Sequence, residues 1–181
     1  MLRSASVGTL RTAALLALAA TLAPASAPAL EDELSFSAGP AVTTVPVADG
    51  EGRTGYGATA GLAHGLSDEW ALALDASFTR HGEGDGESAF GLASISPGLR
   101  YAIDILVLVP YLVVAGAWHP VRPAGDATAA YGVQWGLGVD WRRWPGWALG
   151  VEGRQESFIG VSDQSGGTLS LCLRISRILA L

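Results

Sequence analysis

Few residues of this chain have the types and spacing that could do chemistry: three histidines, one cysteine and one run of acids. An acyl-transfer site would set one of His64, His81 and His119 beside a hydroxyl nucleophile and an acid, and His81 with Ser88 is the pairing that chain proximity offers. The plainer reading makes all three solvated. His81 falls in a Gly-rich loop, His119 precedes Pro120 at the end of an apolar run, and His64 lies near a short turn. The loop GEGDGES (Gly82 to Ser88) places Glu83, Asp85 and Glu87 at alternate positions, hard oxygen ligands suited to a divalent cation. Its spacing is not that of a twelve-residue calcium loop, so a solvated acidic loop is preferred and no metal is expected. Cys172 stands alone, which excludes an internal disulfide and a cysteine metal cluster. Neither catalytic residues nor a cofactor follow from these residues.

A second set of residues is defined by phase. Asp75, Arg100, Asp140, Arg142, Glu152, Arg154 and Arg174 all occur among the small and polar residues of segments whose alternate positions are large and apolar. Both signs are present, so the seven can pair with one another; buried without partners, each would be costly. What they do therefore depends on the elements that carry them and on which face of those elements is the inside.

The elements read as strands. After the first 29 residues no segment keeps a helical period, and alternation of two recurs eight times between turn signals. ELSFSAGP is the first segment. Tyr56 to Leu66 is the second, Trp70 to Arg80 the third and Ala89 to Ile103 the fourth. The fifth, Ile105 to Val121, is apolar on both faces and carries Pro110, so its phase is unreadable. The stretch YGVQWGLGVDWRRWPGWALGVEGR supplies the sixth and seventh, and TLSLCLRISRILAL the eighth. Connections alternate: Ser67-Asp68-Glu69, about one residue at Asp104, and about five from Arg142 to Gly146 are short. The others are long and rich in Gly, Pro and acids. An even number of antiparallel strands with this alternation is the layout of a transmembrane barrel, short turns and chain ends facing the periplasm.

Composition selects the same architecture. The 181 residues suit one domain; 49% are hydrophobic and 15% charged, the mean hydropathy is +0.33, and 24 are Gly, many at alternating strand positions. Arg3 and Arg11, the apolar run of about ten AALLALAATL and the Ala27-Pro28-Ala29 site read as a signal peptide cleaved before Leu30; the run is short of the roughly 20 residues a spanning helix needs. Residues 1–29 are thus read as signal and 30–181 as barrel. The mature chain has 9 Arg, no Lys and 17 acids, a balance of −8 that excludes nucleic acid as a partner.

Two barrels remain. A soluble one would hide the apolar face around a ligand cavity; a membrane one would turn that face to lipid. Gly, Ser and Ala cannot coat a soluble exterior, but they fit the narrow lumen of eight strands. The aromatics sort into two bands: Trp70, Tyr101, Trp141, Trp144 and Trp147 beside the short turns, and Tyr56, Phe78, Trp118 and Tyr131 at the long-loop ends. Such girdles belong to a bilayer. The fold class expected is all-β, an eight-stranded antiparallel up-and-down transmembrane β-barrel.

The eight dyad segments, VPYLVVAGAWHP (Val109 to Pro120), the GLGVDWRRWPGWALGVEGR hairpin and the terminal strand together resemble the OmpA/OmpX/OmpW-like group of small outer-membrane barrels of Gram-negative bacteria. The resemblance spans essentially residues 30–181, though the chain ends in Leu181 where such terminal strands commonly end in Phe. It implies outer-membrane localisation, contact with membrane lipid and lipopolysaccharide, and insertion by the barrel-assembly machinery; a monomer is expected. The His-x-Ser pair of the related lipid A deacylase is absent, since no histidine has Ser two residues later. A non-enzymatic structural or surface-interaction role is therefore expected. The runner-up is OmpW-like passage of small hydrophobic molecules through a lateral gap opened at Pro97 or Pro110.

Overall fold

The computed structural model describes residues 30–46, 52–83, 88–103, 105, 107–120, 130–159 and 167–181. The signal-peptide reading of residues 1–29 lies outside them, as do Asp85 and Glu87 of the acidic loop and most of each long connection. Eight strands follow in chain order: β1 (Glu33–Val45), β2 (Arg53–Gly65), β3 (Trp70–His81), β4 (Phe90–Ala102), β5 (Leu108–His119), β6 (Ala130–Trp144), β7 (Trp147–Ile159) and β8 (Gly167–Ala180). Each pairs antiparallel with its sequence neighbours, and β8 returns to β1, closing the barrel. At 12 to 15 residues each, the strands are long enough to cross a bilayer when tilted.

The interior is polar and the exterior apolar. Ser37, Thr43, Thr59, Asp75, Thr79 and Ser96 are buried, whereas Phe36, Leu72, Val114, Leu137, Leu171 and Ile175 on the opposite phase are exposed. No soluble fold tolerates an apolar belt on that scale; it is stable only against hydrocarbon. Closure matters equally, because in lipid every strand edge must find its backbone partners within the protein.

Several boundaries differ from the sequence reading. β1 runs past ELSFSAGP to Val45, because Ala41 and Thr43 continue its inward phase and Val42 its outward one. β5 begins at Leu108, not Ile105, so the β4–β5 connection has about five residues rather than one; a single bridge, Ile105 to Leu108, tightens it. The β6–β7 connection is only Pro145-Gly146, since β6 continues through a bulge between Trp141 and Trp144. Gly146 takes φ 70°, a left-handed value that tight turn requires. β5 now has a phase: Val109, Tyr111, Val113, Ala115, Ala117 and His119 face inward. Its apolar inner face packs with Leu30 and Ala102 as the apolar part of the lumen.

Prolines act where the ladders break, though Pro110 is not among them. Pro110 pairs with Val139 and its carbonyl accepts from Ile103 N at 2.9 Å. The β4–β5 ladder skips the rungs between Ile95↔Trp118 and Gly98↔Ala115, at Pro97; the β1–β8 ladder skips those between Ala38↔Ile175 and Ala41↔Cys172, at Pro40. A proline has no N–H to donate, so both seams lose ladder bonds there.

Candidate functional site

The most elaborate polar arrangement crosses the lumen in its short-turn half. Glu152 on β7 is its centre and is 0% exposed. Its Oε2 accepts from the Tyr111 hydroxyl at 2.7 Å and from Arg174 Nη1, while its Oε1 accepts from Arg154 Nε. Arg154 also donates Nη2–H to Asp75 Oδ1 at 2.9 Å on the far wall, and Arg174 reaches Ser37 Oγ at 3.0 Å. The Tyr111 oxygen donates to Glu152 and accepts from Arg174 Nη1 at 3.0 Å. Five strands are tied together by these bonds: β1, β3, β5, β7 and β8.

Below this layer, Arg100 lies over the Tyr111 ring, 4.3 Å from its centroid, and faces Asp140 Oδ2 at 3.8 Å. At the rim Arg142 pairs with Glu33 Oε2 at 3.0 Å. The structure thus places Asp75, Arg100, Asp140, Glu152, Arg154 and Arg174 deep inside and Arg142 at the lumen's short-turn end. The room for the tyrosine comes from β6. Gly138 is its direct cross-strand partner, and a Cβ there would run into the Tyr111 ring.

The long-loop half is different. A small cavity is lined by the hydroxyls of Thr43, Thr59, Ser77, Thr79, Ser94 and Ser170, with Gln134, Arg154 and Cys172. It has room for one or two waters. Hydroxyls pair across its walls, Ser77 with Ser94 at 2.7 Å and Thr43 with Ser170 at 2.8 Å.

The histidines correct the sequence reading. His81 and His119 are not solvated: they end β3 and β5 facing inward, 0% and 1% exposed. His119 Nδ1 donates to the Ala93 carbonyl at 2.9 Å, and Nε2 pairs with Glu156 Oε1. Both ring nitrogens face acceptors, so neither is free to act as a base towards a nucleophile. His81 Nδ1 donates to the Arg53 carbonyl at 3.2 Å, leaving Nε2 to accept from the Thr79 hydroxyl at 3.2 Å. That hydroxyl–imidazole pair is oriented by a carbonyl rather than a carboxylate. The ring is stacked on Phe90 at 4.5 Å and lies flat against Gly55. Ser88 does not meet His81; its carbonyl instead accepts from Arg53 at 3.3 Å. His64 is half-buried on the outer face near the β2–β3 turn. Among the described residues, no group of three His, Cys, Asp or Glu is placed to hold a metal ion.

Sequence reasoning missed Tyr111, Glu156 and Glu33 and misread His119. Glu156 and Glu33 were within reach, because each sits two or four residues along the same inward phase as a residue already singled out or recognised as small. Tyr111 and His119 were not, because β5 is apolar on both faces.

On the outside, Tyr56, Trp118 and Tyr131 are exposed at the long-loop end, Tyr56 by 70%. Trp70 and Tyr101 touch at 4.9 Å between centroids, and Trp141 and Trp144 at 5.0 Å, all at the short-turn end with Trp147. Trp135 stands between the bands on β6, paired with Val114 and Gln155.

A closed eight-stranded antiparallel barrel with an ion-paired lumen, an apolar exterior and aromatic belts defines the class: the fold of the small bacterial outer-membrane barrels. No family profile and no characterised protein matches the chain in sequence. Solved structures match in fold. Neisserial surface protein A has 16% identity and a TM-score of 0.66, covering 80% of this chain and 96% of its own. Ail, the attachment invasion locus protein of Yersinia pestis, has 15% identity and a TM-score of 0.60, covering 82% and 99%. The outer membrane enzyme PagL shares the fold at 18% identity and a TM-score of 0.50, covering 79% and 98%. The architecture is therefore common to an attachment protein and an enzyme, and the role rests on this chain's own residues.

Proposed function

We propose that this chain is a non-catalytic barrel of the outer membrane whose rigid, ion-locked lumen holds acidic surface loops for a structural or surface-interaction role. The observation that carries this reading is the Glu152 layer. Tyr111, Arg154 and Arg174 converge on one carboxylate and, with Asp75 and Ser37, tie five strands together, which suits a plug and a brace rather than a passage. The absence of a free base at His119 and the enclosure of His81 favour a role without acyl transfer. Membrane lipid, lipopolysaccharide at the outer leaflet, and assembly machinery reading β8 are the partners this role implies. Single-barrel conductance in planar bilayers tests it: no current above the lipid baseline is expected, and a steady ion-selective current overturns it.

One observation favours the second reading, lateral passage of small hydrophobic molecules. The β4–β5 ladder is interrupted at Pro97, and the Ala93 carbonyl of that seam is held by the His119 side chain, itself fixed by Glu156. Uptake of a hydrophobic dye into vesicles carrying the protein, compared with empty vesicles, separates the two. Uptake that rises in His119→Ala would support a latch on an openable seam.

A further inference from the structure

Every arginine of the lumen has an acid partner: Arg100 with Asp140, Arg142 with Glu33, Arg154 with Glu152 and Asp75, Arg174 with Glu152. At the short-turn rim of the barrel the rule is broken. Arg143 on β6 and Arg177 on β8 are exposed, and among the described residues neither pairs with a carboxylate. The chain is acidic overall, yet the described carboxylates near this end lie elsewhere. Asp68 and Glu69 are in the β2–β3 turn, and Glu31 and Asp32 lie beyond the last rung, Glu33↔Ala180.

These two cations sit in a built setting. Trp144, Trp147 and Arg177 are cross-strand neighbours in one row over β6, β7 and β8, spanning about 10 Å at the usual strand spacing, and Arg143 adjoins Trp144. The Arg177 guanidinium stacks over Trp147, 5.3 Å from the ring centroid, and donates to the Gly146 carbonyl at 3.1 Å. That carbonyl also accepts from Ile178 N at 2.9 Å, so the turn is docked on β8 and the guanidinium is held in place. Gly146 supplies the left-handed φ of that turn, which a side chain would strain. Among the described residues, only one of the five N–H groups of Arg177 finds a hydrogen-bond acceptor. The remaining donors, and all those of Arg143, lie at the level of the tryptophan belt, where phosphates of a leaflet lie beside ring N–H groups.

We infer that Arg143, Arg177, Trp144 and Trp147 form a binding site for the headgroup of a net-negative phospholipid in the leaflet that the short-turn end meets. The occupant is a phosphatidylglycerol-type lipid. Its phosphate takes the charge-assisted hydrogen bonds of the two guanidiniums, and its acyl chains run along Leu149 and Ile175, the lipid-facing neighbours above the row. The site rests on the barrel lying in a membrane and not on what its loops do.

Native mass spectrometry of the folded full chain, equilibrated with phosphatidylglycerol or phosphatidylethanolamine, tests this. Roughly tenfold stronger retention of phosphatidylglycerol is expected, in line with two arginines near an anionic surface. It should vanish in Arg143→Gln/Arg177→Gln and persist in Arg80→Gln, an exposed outer-face arginine at the other end. Heat-modifiable gel migration reports folding of each variant independently. Equal retention of both lipids, or a preference surviving the double substitution in a folded barrel, overturns the site. A preference for lipid A over phosphatidylglycerol, lost in the same double variant, overturns the choice of occupant and leaflet.

Discussion

The two halves of the lumen solve the same problem differently. Near the short turns the barrel is filled by long charged side chains that neutralise one another across its width; near the long loops it is filled by short hydroxyls, two histidines, Glu156 paired with one of them, and a little space. The short-turn half is coupled, since Glu152 serves Tyr111, Arg154 and Arg174 together. The other half is a set of separable pairs, Ser77 with Ser94 and Thr43 with Ser170. The lesson concerns burial of charge: once one guanidinium is inside, its partners must come too, and the network grows until every charge is answered. Hydroxyls impose no such demand, and their half of the barrel can stay looser.

Substitutions test this contrast by the sizes of their effects. Glu152→Ala leaves two arginines facing each other without their shared anion, and should lower stability by about 3–5 kcal/mol, read as a fall in the urea midpoint of the barrel folded in vesicles. Gly138→Ala drives a methyl into the Tyr111 ring and should cost about 1–3 kcal/mol in the same assay. Tyr111→Phe keeps the ring over Gly138 but takes a donor from Glu152 and an acceptor from Arg174, again about 1–3 kcal/mol. Ser77→Ala/Ser94→Ala removes both partners of a hydroxyl pair at once and should stay within about 1 kcal/mol of the parent. Should the serine pair cost as much as Glu152, the two halves are not energetically distinct and the contrast fails.

Much of the fold was legible because the strand period forces a choice of face. Once Gly132, Gln134, Gly136, Gly138 and Asp140 share one side of β6 and Tyr131, Val133, Trp135, Leu137 and Val139 the other, only the identity of the inside is open, and composition answers that. The same rule failed at β5. With Val109, Tyr111 and Val113 on one face and Leu108, Leu112 and Val114 on the other, nothing local distinguished Tyr111 from Leu112, although one meets Glu152 and the other faces outward. The histidines were misread for a related reason: a residue at a strand end can be the last inward rung or the first of the loop, and His81 and His119 are both last rungs.

By itself the sequence determined that eight strands exist, which side of seven of them is small and polar, and that charges of both signs occupy that side. Which charge meets which was decided only by closure of the barrel. Arg154 reaches Asp75 from β7 to β3, Arg174 reaches Ser37 from β8 to β1, and Tyr111 reaches Glu152 from β5 to β7. Such partners lie on different strands at heights fixed by register and stagger, quantities that belong to the closed sheet and to no strand alone.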